Sequence, residues 1–84
     1  MFRANAVFKA GDGLTPDLAA KLSRHAERYS AHLMLECGQK CIRLDSLIGI
    51  LSMEMHRGME IGVIADGEDE IPACEDIRRL LMNE

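Results

Sequence analysis

The sequence predicts an α+β fold, an open-faced β-sandwich in which a four-stranded antiparallel sheet carries three helices on one face. Three observations lead there. Apolar residues alternate with period two in separate short stretches, other stretches carry a helical stripe, and glycine-containing turns fall where the period changes. The resulting order is strand, helix, strand, strand, helix, strand, helix, with the first and fourth strands expected side by side. The 84 residues read as a single domain, 1–84, with a compact core and modest stability.

Phe2 to Lys9 opens the chain as a strand, with Phe2, Ala4, Ala6 and Phe8 on one side and Arg3, Asn5, Val7 and Lys9 on the other. Gly11-Asp12-Gly13 ends it. From Pro16 to Tyr29 the period becomes helical: Leu18, Ala19, Leu22, Ala26 and Tyr29 share a stripe that should face the sheet. Thr15 suits the N-cap, and Pro16 the first helical position, where its missing N–H is no loss. Leu33, Leu35 and Cys37 then alternate with His32, Met34 and Glu36. Across a Gly38-Gln39 turn, Ile42 and Leu44 alternate with Cys41 and Arg43, giving a hairpin with an aliphatic inner face.

Ser46 reads as the N-cap of a short helix that ends before Gly58, weakened by about 1 kcal/mol at Gly49 relative to alanine. Met59 to Ala65 returns to strand, with Ile61, Val63 and Ala65 toward the core and Gly62 and Ile64 away from it. Asp66-Gly67 ends that strand. The last helix starts with Asp69 as cap and tolerates Pro72 in its first turn. It packs Ala73, Cys74, Ile77, Leu80 and Leu81, with Arg78 and Arg79 near its carbonyl end.

Composition excludes several functions. Fourteen acidic and ten basic residues give a net charge of -4, and they are interspersed apart from Asp66, Glu68, Asp69 and Glu70, so nothing attracts nucleic acid or anionic lipid. That acidic run reads as a solvated turn and helix start. No segment has the length or apolarity of a membrane helix or a signal-peptide core, so a cytoplasmic protein is expected. Three cysteines fit a reducing compartment. Cys37 and Cys41 should point to opposite sides of the hairpin and stay unbridged. Their spacing is not that of a zinc knuckle, and neither a metal nor a cofactor is expected. The six methionines read as adaptable packing. His25, His32 and His56 are expected to be solvated, and no nucleophile, base and acid arrangement supports catalysis. Val7, Met34, Ile64 and Cys41 on the bare sheet face read equally as an apolar patch for self-association or partners and as scattered surface hydrophobes.

The most informative stretch is Gly13-Leu14-Thr15-Pro16-Asp17-Leu18-Ala19-Ala20, a loop running into a helix N-terminus. Such an end favours anions, but Asp17 already occupies its positive pole. Together with Ser46-Leu47-Ile48-Gly49-Ile50-Leu51-Ser52, Gly58 and Ala65-Asp66-Gly67-Glu68-Asp69-Glu70, it resembles HPr, the phosphocarrier family of the phosphoenolpyruvate-dependent sugar phosphotransferase system. The resemblance runs over essentially the whole chain and implies the HPr fold and a non-enzymatic protein.

Family members read Gly-Leu-His-Ala-Arg-Pro-Ala-Ala at the first site, where the histidine accepts and passes on the phosphoryl group. Here Thr15 stands in the histidine's place, Pro16 in that of an alanine, and Asp17 in that of a phosphate-pairing arginine. A threonine phosphate is a stable ester, unlike a phosphoramidate, so the resemblance implies a degenerate phosphoryl-acceptor site at Thr15, Pro16 and Asp17. It also implies a regulatory site. Many Gram-positive HPr proteins are phosphorylated at a serine matching Ser46 and then bind a transcription factor, and the catabolite-repression HPr keeps that serine without the histidine. Asp45 stands where members often carry lysine.

The expected function is therefore a regulatory protein-interaction module without phosphohistidine carriage, possible phosphorylation at Ser46 acting as its switch and Leu47, Ile48 and Leu51 as its docking surface. Expected partners are a serine kinase, phosphotransferase-system enzymes or a transcription regulator, with the chain itself a monomer or weak homodimer. The alternative is a working phosphocarrier that uses another acceptor residue.

Overall fold

The computed structural model describes residues 1–11 and 13–82. Asp12, within the expected Gly11-Asp12-Gly13 terminator, lies outside them. The elements run β1 (Phe2–Val7), α1 (Pro16–Ala26), β2 (His32–Cys37), β3 (Lys40–Arg43), α2 (Leu47–Ser52), β4 (Glu60–Asp66) and α3 (Glu70–Met82). The order is the one read from the sequence. The sheet is antiparallel with strand order β1-β4-β2-β3, so the first and fourth strands are neighbours.

Register explains the core. Ala4 pairs with Val63, which pairs with Leu35, which pairs with Ile42. Paired residues share a face, so one apolar row crosses the sheet beneath α3 and, at β3, α2. Leu18, Ala19 and Leu22 of α1 and Ala73, Cys74, Ile77 and Leu81 of α3 close over this face, with Phe8, Leu35, Ile61 and Val63 fully buried. In the hairpin Cys37 pairs with Lys40 and Cys41 with Glu36, and all three cysteines are free thiols.

One helix ends earlier than its pattern suggests. α1 stops at Ala26 because the next bonds are i to i+3, Arg28 to His25 and Tyr29 to Ala26, which tighten the last turn. Tyr29 is thus one turn beyond the helix, though still partly buried. α2 ends at Ser52, before Gly58 as expected. Met53 has an extended backbone, and Met53 and Met55 both turn into the core, an alternation that a continued helix could not supply. Gly58, at a φ of 92°, then donates its N–H to the Phe8 carbonyl at 2.8 Å.

The expected cap of α3 is used differently. The Asp69 carbonyl accepts the Ala73 N–H at 3.0 Å, as at a helix start, but its carboxylate reaches across to the α1–β2 connection. There it accepts the N–H groups of Ser30 and Ala31, each at 2.8 Å. Gly67 makes this closeness possible, since a Cβ there would lie 2.6 Å from Ala31 Cα. Gly67→Ala is expected to cost about 1–3 kcal/mol through that overlap, read as a lower urea midpoint at unchanged slope.

The bare sheet face does not form the apolar patch. Ile64 is only 9 % exposed, flanked by Arg3 and Met34 in the register. An Arg3–Glu36 ion pair at 2.8 Å passes over Gly62, where a Cβ would sit 2.8 Å from the guanidinium. Val7, 37 % exposed, lies beyond that strap beside Glu60. Ile64 and Met34 are neighbours, and the Arg3–Glu36 pair separates them from Val7.

Candidate functional site: two helix starts and a buried carboxylate

The loop after β1 is pinned at Gly13, which forms a bridge with His56. A Cβ on Gly13 would approach the Met55 carbonyl to 3.2 Å. Thr15 follows with extended backbone and caps α1: its Oγ1 accepts the Leu18 N–H at 3.2 Å and its carbonyl the Ala19 N–H at 2.9 Å. Pro16 has no N–H. In this first turn the N–H of Asp17 is left, on the residue that also brings a negative charge. Thr15 and Asp17 line a cleft of about 210 Å³ with Ala10, Leu18, Lys21 and Leu80. Pro16 is exposed beside it. The Thr15–Asp17 group is therefore one surface, with its hydroxyl and most of its backbone donors already engaged.

α2, which packs against α1, carries the second group. Ser46 is exposed and caps α2, accepting the Gly49 N–H on Oγ at 3.2 Å. Gly49 keeps the space beside that hydroxyl open, because a Cβ there would lie 3.2 Å from it. Asp45 is held by Arg43 at 2.7 Å, so the carboxylate next to Ser46 is balanced by a cation. Ile50 anchors the helix in the core, while Leu47, Ile48 and Leu51 are 44, 83 and 48 % exposed. These three stand together on the outer side of one short helix.

One cluster was missed by sequence reasoning. His25 is not solvated: its Nδ1 lies 3.0 Å from Asp76 Oδ2, and Tyr29 Oη donates to the same oxygen at 2.9 Å. The clue was spacing. Leu18, Leu22, His25 and Tyr29 follow the i, i+4, i+3, i+4 rhythm of a buried stripe, but the partner, Asp76, lies 51 residues from His25. His32 and His56 are exposed, as expected.

Burial pushes the Asp76 carboxyl up, but the hydrogen bonds from His25 and Tyr29 outweigh it and hold it below the usual carboxylate range. Burial and the same carboxylate push the Tyr29 phenol up. Asp69 is also held low, first by the Ser30 N–H, against some desolvation, and then by that of Ala31. Both carboxylates are lowered by folding, so their contribution is complete above the unfolded value of about 3.9 and is lost as pH falls through the folded ones. The urea midpoint should therefore fall between pH 6 and about pH 2–3, and Asp76→Asn should flatten that fall. Equal acid sensitivity in the variant would contradict the assignment.

This open-faced sandwich is the fold of solved phosphocarrier structures. A family model described as the PTS HPr component phosphorylation site matches residues 3–83. Phosphocarrier protein HPr of Borreliella burgdorferi is 28 % identical over 81 residues, 96 % of this chain and 94 % of that one. HPr-like protein Crh of Bacillus subtilis is 32 % identical over 72 residues, 86 % of this chain and 85 % of the relative. The solved structure of a Mycoplasma histidine-containing phosphocarrier protein shares the fold, with a TM-score of 0.87 at 24 % identity over 99 % of this chain and all of the other. The protein belongs to the HPr family. Proteins of this family are phosphocarriers of the sugar phosphotransferase system, not catalysts, and interact with other proteins of that system. Among the described residues no helix is long and apolar enough to cross a membrane.

Proposed function

We propose that this HPr-family protein does not carry phosphoryl groups on its α1 start and acts instead as a regulatory protein-interaction module, with Ser46 as its switch. Thr15 carries this reading. A hydroxyl stands where the family's imidazole would be, it caps its own helix, and Asp17 replaces the cation that would steady a phosphate. The docking surface is Leu47, Ile48 and Leu51, apolar and exposed. A phosphate on Ser46 adds charge at its edge, where Arg43 offsets part of the repulsion from Asp45. Partners of that kind are a serine kinase, other phosphotransferase-system proteins or a transcription regulator.

Incubation with phosphoenolpyruvate and the first enzyme of the system should give no acid-labile phosphate. Incubation with ATP and the serine kinase should label Ser46, with loss of label in Ser46→Ala. An unlabelled Ser46 under conditions that fully label an ordinary HPr would remove the switch. A second reading keeps carriage on another residue, and His25 favours it, since Asp76 holds its Nδ1 and leaves Nε2 as the nucleophile. Acid-labile label that disappears in His25→Gln would establish that reading over the first.

A further inference from the structure

Arg43 stands one tight turn before Ser46. The Ser46 N–H donates to the Arg43 carbonyl at 3.3 Å, which closes a four-residue turn and brings the two Cα atoms within about 7 Å. Leu44, inside the turn, is fully buried. Arg43 and Asp45, on either side of it, are both exposed, and the guanidinium lies 2.7 Å from the Asp45 carboxylate. An arginine that touches the residue beside Ser46 is long enough to serve Ser46 itself.

The existing pair is weak enough to be exchanged. Both of its side chains are more than half exposed, and ion pairs in that setting contribute little. A phosphate on Ser46 would offer the same guanidinium close to two negative charges and three acceptor oxygens, against one charge and two oxygens on Asp45. Without a cation, the neighbouring carboxylate would oppose the second ionisation of that phosphate. Arg43 and Asp45 line a cleft of about 210 Å³ with Glu27, Tyr29 and His32, and Arg43 is its one arginine or lysine among the described residues. The Tyr29 hydroxyl is already engaged, donating to Asp76.

We propose that Arg43 is the positioning residue of the Ser46 switch: when Ser46 carries a phosphate, the guanidinium leaves Asp45 and pairs with the phosphate. The inference rests on the reading of Ser46 as a modification site, and adds the residue that lets a dianion form beside Asp45.

The test uses the full chain with phosphoserine built in at Ser46 during synthesis, so that no kinase is needed. A phosphorus NMR titration then reports the second ionisation of the phosphate, which lies at about pH 6 for an ordinary phosphoserine. Arg43→Gln should raise that midpoint by at least about 0.3 pH unit, and Arg43→Lys should recover part of the shift. Asp45→Asn, which removes both the repulsion and the competing partner, should lower it. Arg3→Gln removes the same charge elsewhere, where Arg3 is held by Glu36, and should leave the midpoint where it was. Because histidines ionise in the same range, the comparisons are repeated with His32→Gln and should keep their sign. An unmoved midpoint in Arg43→Gln, an equal rise in Arg3→Gln, or no effect of Asp45→Asn would overturn the proposal while leaving the switch standing. A serine kinase that fails to label the natural chain would instead remove the switch, without moving these midpoints.

Discussion

Phe8→Ala is expected to cost about 3–5 kcal/mol, the largest single-residue loss of stability in this chain. Phe8 is fully buried in the core cluster. Its backbone is fixed on both sides, donating to the Met59 carbonyl and accepting from Gly58, each at 2.8 Å. A cavity left by the ring cannot close by a shift of the strand without breaking those bonds. Small domains hold about 5–15 kcal/mol in total, so the variant should have a urea midpoint reduced by about a fifth or more at constant slope. A midpoint within the error of the parent would show that the ring is not packed as described.

Thr15→His/Asp17→Arg is expected to convert an unlabelled protein into one that takes phosphate from phosphoenolpyruvate through the first enzyme of the system. Thr15→His alone supplies the nucleophile and frees the Leu18 N–H, now engaged by the threonine hydroxyl. Asp17 still opposes an incoming anion at the positive end of α1. The double variant, with Lys21 retained in the same cleft, should label at least about tenfold faster than the single one, a barrier difference of about 1.4 kcal/mol. Acid-labile phosphate measured over time decides it. Equal rates in the two variants would mean that the aspartate is electrostatically silent, and labelling of the unmodified chain would overturn the reading of Thr15 itself.

Local chemistry was legible in the sequence where it is local. Thr15 and Ser46 announced themselves as caps, and both accept the N–H three residues on. The inner faces of the strands followed from period two, since a one-residue slip would have exposed every one of Leu33, Leu35, Ile61, Val63 and Ala65. Side chains that choose between near and distant partners were not legible. Asp69 has a good local use as a cap, yet its carboxylate binds Ser30 and Ala31, 39 and 38 residues away. His25 looked like a solvated helix residue because Asp76 is far off in the chain. The end of α2 depended on a competition that propensity does not score, in which Met53 and Met55 gain burial by leaving the helix.

The Arg3–Glu36 strap over Gly62 has a consequence for how these molecules behave in a crowd. It drapes an ionic bar across the broad surface by which flat sheets would otherwise stack, so neighbouring copies meet charge before they meet Ile64. At about 1 M salt the screening length shrinks to about 3 Å, and that ionic fence loosens. Ionic strength thereby becomes a dial on colloidal behaviour, while the exposed aliphatic side chains of Leu47, Ile48 and Leu51 on the helical side are indifferent to it.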